Sequence, residues 1–242
     1  MANDKPKVDG KIITIHEGRV SFYNAVEPKY RTDKFGRPDK GTPDRPKKPQ
    51  YRMTWLLDPS NAQAATTIRE IKAEASRVLD LYFGGRDKWP KDNPTTGRKG
   101  ILSCFGNGND LPKVYDGYKD MFYIKVADAV APVIGDRRGR QVVFVTADNA
   151  WHVVDRETGQ TTEEVVEPGA VPYAGCYARG RIRLYPWEYE GGGVNANFMS
   201  VQFVRPGDAF GGGGRRNAAE ELQEMAGDSA PASAVASEGD PW

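Results

Sequence analysis

The sequence predicts a mainly β chain, a β-barrel or small sandwich with one long helix, long basic loops and a disordered acidic tail. Three observations predict it. Short stretches alternate apolar and polar residues, as in "RVSFYNAV" (19–26) and "MFYIKVAD" (121–128), the period of a strand with one buried face. The 27 glycines and 17 prolines cut the chain into short pieces, a composition that favours strands and loops over a helical bundle. Only one segment, between Asp58 and Gly84, has both the ends and the spacing of a long helix.

Taken in order, the first strand places Val20, Phe22, Asn24 and Val26 on one face and Arg19, Ser21, Tyr23 and Ala25 on the other. A Pro/Gly-rich loop follows, and "YRMTWLL" (51–57) reads as a second strand. Asp58 is placed to cap the helix, Pro59 suits its first turn and Gly84 its end. Ile68, Ile71, Ala75, Val78, Leu79 and Tyr82 form its buried stripe, with Arg69, Lys72, Glu74 and Arg77 on the solvated face. Further strands are expected near 101–105, 121–128, 141–146, 151–154, 177–188 and 198–204. In the second of these Phe122, Ile124 and Val126 face in while Tyr123 and Lys125 face out. "GGGG" (211–214) reads as a flexible linker. The expected organisation is a folded body over 1–210 and a linker with a flexible tail over 211–242.

Charge is segregated. The net charge of +1 divides into −6 on residues 217–242, which hold six acids and no Lys or Arg, and +7 on residues 1–216. A basic body calls for an anionic partner. The start, "MANDKPKVDGK", has no apolar run of a signal peptide, and no stretch approaches the ~20 apolar residues of a membrane span. The reading is therefore a cytoplasmic protein with no membrane partner. Cys104 and Cys176 read as buried thiols.

The most informative segment is "YARGRIRLYPWEY" (177–189). One parity holds Ala178, Gly180, Ile182 and Leu184, suited to a core. The other holds Tyr177, Arg179, Arg181, Arg183, Tyr185, Trp187 and Tyr189. Three guanidiniums in line on one strand face repel one another, and no acid alternates with them. A nucleic-acid backbone relieves that repulsion, and the flanking rings offer stacking platforms for unpaired bases. The competing reading pairs these arginines with acids on neighbouring strands. A second basic constellation is the loop 28–52, with nine basic residues against three acids. Lys29, Arg31, Lys34, Arg37, Lys40, Arg45, Lys47 and Lys48 interleave there with Tyr30 and Phe35, as in an arm that closes over a bound strand. Weaker basic turns hold Arg137, Arg138 and Arg140, and Lys91, Arg98 and Lys99.

Nothing in the sequence demands catalysis or a cofactor. His16 and His152 do not share finger spacing with the cysteines, so no metal site is expected. No phosphate-binding loop, nucleophile elbow or zinc-protease motif occurs. Asp116, Asp128 and Asp155 are the only candidates for a metal-dependent nuclease cluster, and roles in turns suit them better.

The stretches "GRVSFYNAVEP", "YRMTWLLDPS" and "YAGCYARGRIRLYPWEYEGGGVNANFMSVQFVRPGDAFGGG" resemble the single-stranded DNA-binding proteins of tailed bacteriophages, over most of residues 18–214. The resemblance implies an OB-fold-like antiparallel β-barrel. It implies a non-enzymatic protein that coats and protects single-stranded DNA in replication and recombination, in the cytoplasm of an infected bacterial host. DNA-binding positions carried over on the quoted motifs are Tyr177, Arg179, Arg181, Arg183, Tyr185 and Trp187. Charge and strand parity add Tyr123, Lys125, Arg19, Tyr23, Lys29, Arg31 and Arg37. The resemblance also implies an acidic tail ending in an aromatic residue. This chain ends "SEGDPW", so Glu238, Asp240, Pro241 and Trp242 become the candidate contact for replication partners such as a polymerase or helicase. A homodimer is a further partner that this reading allows. The alternatives are an RNA-binding or strand-annealing protein on the same barrel and, in a different class, the metal-dependent nuclease.

Overall fold

The computed structural model describes residues 6–32, 35–90, 101–112, 114–115, 117–188 and 192–208, and not the side chain of Arg45. Lys34, Lys91, Arg98, Lys99, Asp116 and Tyr189 lie outside the described residues, as do the linker and the tail with Glu238, Asp240, Pro241 and Trp242.

The first strand, β1 (Ile12–Lys29), is longer than its alternating stretch. A loop with a minimal hairpin, β2 (Gly41–Thr42) and β3 (Arg45–Pro46), leads to β4 (Gln50–Leu57) and then to helix α1 (Ala62–Phe83). Next come β5 (Leu102–Ser103), β6 (Phe105–Asn107), β7 (Phe122–Asp128) and β8 (Val133–Gly135). A meander of β9 (Gln141–Val145), β10 (Ala150–Val154) and β11 (Thr161–Val166) precedes the long pair β12 (Tyr177–Trp187) and β13 (Gly193–Arg205). Among the described residues no helix is long and apolar enough to cross a membrane.

The mainly β expectation with one long helix holds, and the sheet is more open and more mixed than an all-antiparallel barrel. Its path runs β11-β10-β9-β8-β13-β12-β1-β4-β7-β6. The amino half of β1 pairs with β12 and the carboxyl half with β4, both antiparallel. β13 pairs in parallel with β5 and with β8. The chain between β5 and β6 bridges the gap that remains: Cys104 N donates to Val194 O at 3.1 Å and Cys104 O accepts from Lys125 N at 2.7 Å.

The core explains the small parity of β12. Trp55 is fully buried, stands edge-on to Phe198 at 5.9 Å and donates its Nε1 to Ala178 O at 3.3 Å. A Cβ on Gly180 would lie 2.7 Å from the Trp55 ring and 2.2 Å from Ser200 O. Glycine there lets the indole lie flat against the strand.

Three local expectations are corrected. The alternation of β1 breaks at Phe22, whose φ is +50°, and the pairing with β4 slips between Ser21 and Asn24. A bulge adds a residue and inverts the parity beyond it. Phe22 is therefore 55 % exposed while Ala25 is buried. The helix is capped by Asn61, whose Oδ1 accepts from Gln63 N and Ala64 N, both at 3.0 Å. Asp58 instead closes the preceding turn on Ser60 N at 2.9 Å. Glu74, expected on the solvated face, is buried, accepting from Lys11 N at 2.6 Å and paired with Arg77 at 2.6 Å. β8 and β11 were not expected: β8 has three residues, and "TTEEVV" of β11 buries only Val166.

Candidate nucleic-acid interface

The interface is built on the outer face of β12. Ala178, Gly180, Ile182 and Leu184 are buried, while Arg179 and Arg181 are exposed and Arg183 half-buried, as the alternation predicts. Across the ladder Arg179 faces Gln202, Arg181 faces Thr14 and Ser200, and Arg183 faces Ile12 and Asn197. All of these neighbours are uncharged. Arg179 Nε donates to Gln202 Oε1 at 2.8 Å. Arg183 Nε is buried with no hydrogen-bond partner. Among the described residues none of the three arginines forms an ion pair. Among the described residues, acids on adjacent strands therefore do not neutralise these arginines by ion pairing.

The rings along β12 differ from one another. The Arg205 guanidinium lies 3.4 Å from the Tyr177 centroid and is itself paired with Glu17 at 2.8 Å, so one face of Tyr177 is already taken. Tyr185 is half-buried, and burial, then Asp128 and Cys104, raise its pKa against the opposing pull of Asn195 and Arg31. Tyr185 thus sits where the arginine ladder meets the end of β7 and the basic loop. Trp187 is half-buried next to Gly193, close to where Phe83 and Pro90 pack around Gly192.

The other candidate residues divide. Tyr123 and Lys125 lie side by side on the outer face of β7, with Lys125 Nζ 5.0 Å from the Tyr123 centroid. Lys29, Arg31 and Arg37 are exposed in the loop, where Arg37 covers Phe35 at 5.1 Å and Lys40 approaches Tyr30 at 5.9 Å. Arg31 also acts on Arg52 of β4, whose guanidinium is held below its ordinary pKa first by burial and then by that like charge. Two candidates are misplaced. Arg19 donates to Asp208 O at 2.6 Å and Gly175 O at 3.4 Å, tying down backbone near the start of β12 and the end of β13. Tyr23 packs against the core, and its hydroxyl is buried without a partner, which drives its pKa far upward. Its parity was reversed by the bulge beside it.

The structure adds an aromatic cluster that the sequence reading missed. Phe22 stands edge-on to Tyr115 at 5.6 Å and lies 6.3 Å from Tyr118; Tyr115 and Tyr118 are 5.8 Å apart, and Tyr118 and Tyr123 are 6.3 Å apart. Tyr118 is 2 % exposed, whereas Phe22 and Tyr115 are 55 % and 43 % exposed. The loop that brings these tyrosines in is fixed by a reciprocal pair: Asn109 Nδ2 donates to Asp120 Oδ1, and Asp120 N donates to Asn109 Oδ1, each at 3.0 Å. The ring-rich run "VYDGYKDMFY" (114–123) was the available signal. The exposure of Phe22 had none, because it follows from the bulge.

Asp128 and Asp155, the candidate nuclease carboxylates among the described residues, serve turns and a neighbouring amide. Asp128 accepts from Val130 N at 3.0 Å and from Asn197 Nδ2 at 2.8 Å, and Asp155 caps its own turn through Glu157 N and Thr158 N. Among the described residues no group of three or more His, Cys, Asp or Glu converges as metal ligands would.

Known proteins resemble this chain in sequence and in fold. A protein of Acyrthosiphon pisum secondary endosymbiont phage 1, described as putative protein p50, is 29% identical over 165 residues, covering 68% of this chain and 74% of its own. The single-stranded DNA-binding protein of bacteriophage Enc34 in complex with ssDNA superimposes with a TM-score of 0.54 at 15% identity, over 87% of this chain and 100% of that one. Another structure of that protein gives 0.50 at 16% identity, over 87% and 89%. At such identities the likeness establishes the fold. Residues 11–230 match the family described as Enterobacter phage Enc34, ssDNA-binding protein, and the chain belongs to that family of phage single-stranded DNA-binding proteins.

Proposed function

We propose that this protein binds single-stranded DNA without regard to sequence, coating and protecting it during phage replication and recombination, and that it catalyses no reaction. The observation that carries the reading is the row Arg179, Arg181 and Arg183, three guanidiniums that form no ion pair among the described residues, Glu17 in the β1 bulge across from Arg179 being taken by Arg205. Phosphates supply the missing charge, and every base offers a π-face, so the combination of cations and rings is indifferent to sequence. On this reading Tyr185, Lys125, Tyr123 and the basic loop extend this row into one track for a strand. The acidic tail is the second half of the proposal. Its six acids have no base within residues 217–242 and match the +7 of residues 1–216. On this reading the tail competes with DNA for the basic track, at an effective concentration of about millimolar through a short linker. Displaced by DNA, it presents Trp242 to a replication partner such as a polymerase or helicase in the cytoplasm of the infected cell. The test is fluorescence anisotropy with labelled poly-dT, duplex DNA and RNA of equal length across a range of salt. Tight, salt-sensitive binding to poly-dT supports the proposal. Equal or tighter binding to RNA favours an RNA-binding protein, and magnesium-dependent shortening of the probe would mean a nuclease.

A further inference from the structure

We infer that Phe22 and Tyr115 form a stacking platform for unpaired bases, anchored from beneath by Tyr118 and flanked by Tyr123 and Lys125. The inference rests on the reading that the chain binds single-stranded DNA and adds to it the surface that takes the bases.

Four observations lead there. Phe22 holds φ at +50°, a conformation that bulky residues avoid and glycine adopts freely. The chain therefore keeps a phenyl ring where folding alone favours glycine, and strain of this kind clusters at functional sites. The ring gains little burial in return, being 55 % exposed. Its neighbours fix it from one side: Tyr115 meets it edge-on at 5.6 Å, and Tyr118, 2 % exposed, is seated behind both. The position is the outer face of β1, β4 and β7, where Ser21 pairs with Thr54 and Thr54 with Lys125.

The occupant follows from the chemistry. The two exposed rings of the cluster, Phe22 and Tyr115, offer π-faces, and Lys125 supplies a cation beside them, its Nζ 5.0 Å from the Tyr123 ring. Planar bases suit the rings, and the phosphates between bases suit the ammonium.

The test separates bases from phosphates. Affinity is measured for a poly-dT oligomer and for an oligomer of equal length made only of abasic deoxyribose phosphates. Phe22→Gly removes the ring and relaxes the backbone, so the variant keeps the fold and its melting temperature does not fall. It is expected to lose about 5- to 150-fold on poly-dT, the range of one stacked base, and to bind the abasic oligomer like the wild type. Phe22→Trp restores binding to poly-dT. Replacing Arg179, Arg181 and Arg183 by alanine lowers affinity for both oligomers alike, which tests the underlying reading independently. The inference is overturned if Phe22→Gly binds poly-dT as the wild type does, or loses equally on both oligomers. It is also overturned if the variant keeps poly-dT affinity while a wild-type dimer dissociates, which would make the rings an interface between copies. Wild-type protein without affinity for poly-dT removes the underlying reading and this inference with it.

Discussion

Replacing Arg179, Arg181 and Arg183 together by alanine tests whether the row on β12 serves DNA or the fold. Binding a phosphate on a single strand releases counterions and contributes about 0.7 to the slope of log K against log salt. Three guanidiniums engaged with three phosphates therefore account for a slope of about 2. Between roughly 50 and 200 mM salt the ratio of wild-type to variant affinity should shrink about twentyfold. Arg181 is exposed and unpaired, and Arg179 is held only by the neutral Gln202, so both can reach a phosphate at little cost. Arg183 is half-buried, and its Nε lacks a partner even without DNA. On the folding side, like charges in line on one strand face repel one another, and no ion pair among the described residues would be lost. The variant should accordingly melt at the same temperature as the wild type or slightly higher. The assay is anisotropy on poly-dT at five salt concentrations, beside thermal melts. An unchanged slope with a lowered melting temperature would refute the reasoning, because it would mean that the arginines hold the barrel together.

Deleting residues 211–242 should tighten binding to poly-dT, most visibly at low salt, while removing Trp242 alone should leave DNA affinity intact and abolish capture of replication partners in pull-downs. Tyr23→Phe removes a buried hydroxyl that has no partner; it should leave DNA affinity unchanged and stabilise by up to about 1 kcal/mol in urea melts. Burial raises the Cys104 thiol from 9.0 to about 12 and Cys176 to about 11. Both stay neutral in the fold while the unfolded chain ionises near pH 9, so the stability they contribute is complete below pH 9 and is lost as the pH rises towards 11 and 12. Urea unfolding should show a loss of about 1.4 kcal/mol per pH unit per thiol above about pH 9; between about pH 9 and 10 this loss should be missing from the variant with both cysteines replaced by alanine, whereas at higher pH the buried tyrosines Tyr23 and Tyr185 add a loss common to both proteins.

The arginine row was legible because β12 is a regular strand with one face against Trp55, so a period of two is imposed on every residue from 177 to 185. The helix was legible through its apolar stripe, although the cap fell on Asn61 rather than Asp58 because the chain turns once more before the first helical hydrogen bond. Tyr23 was misread for the opposite reason. A single left-handed residue at Phe22 reverses which side Tyr23 and Ala25 face, and no pattern in "SFYNAV" announces it. Tyr115 and Tyr118 could not be placed because a loop has no period. Its course over the sheet depends on the pair between Asn109 and Asp120, eleven residues apart. The burial of Glu74 escaped the helical pattern because its partner is a backbone amide at Lys11, 63 positions away.

The divided pairing of β1 shapes how the chain is made. Its carboxyl half meets β4 as soon as the basic loop between them is made, since Ser21 pairs with Thr54. Its amino half must wait for β12, since Ile12 pairs with Arg183 and Arg19 with Tyr177. At about 5–20 residues per second of synthesis, that wait lasts about 9–34 s. Throughout it "IITI" (12–15), apolar and rich in β-branched residues, lies as an unpaired edge. A nascent chain that stalls before residue 177 thus carries a formed hairpin with one open flank, and two such chains on neighbouring ribosomes have a ready means of sticking to each other.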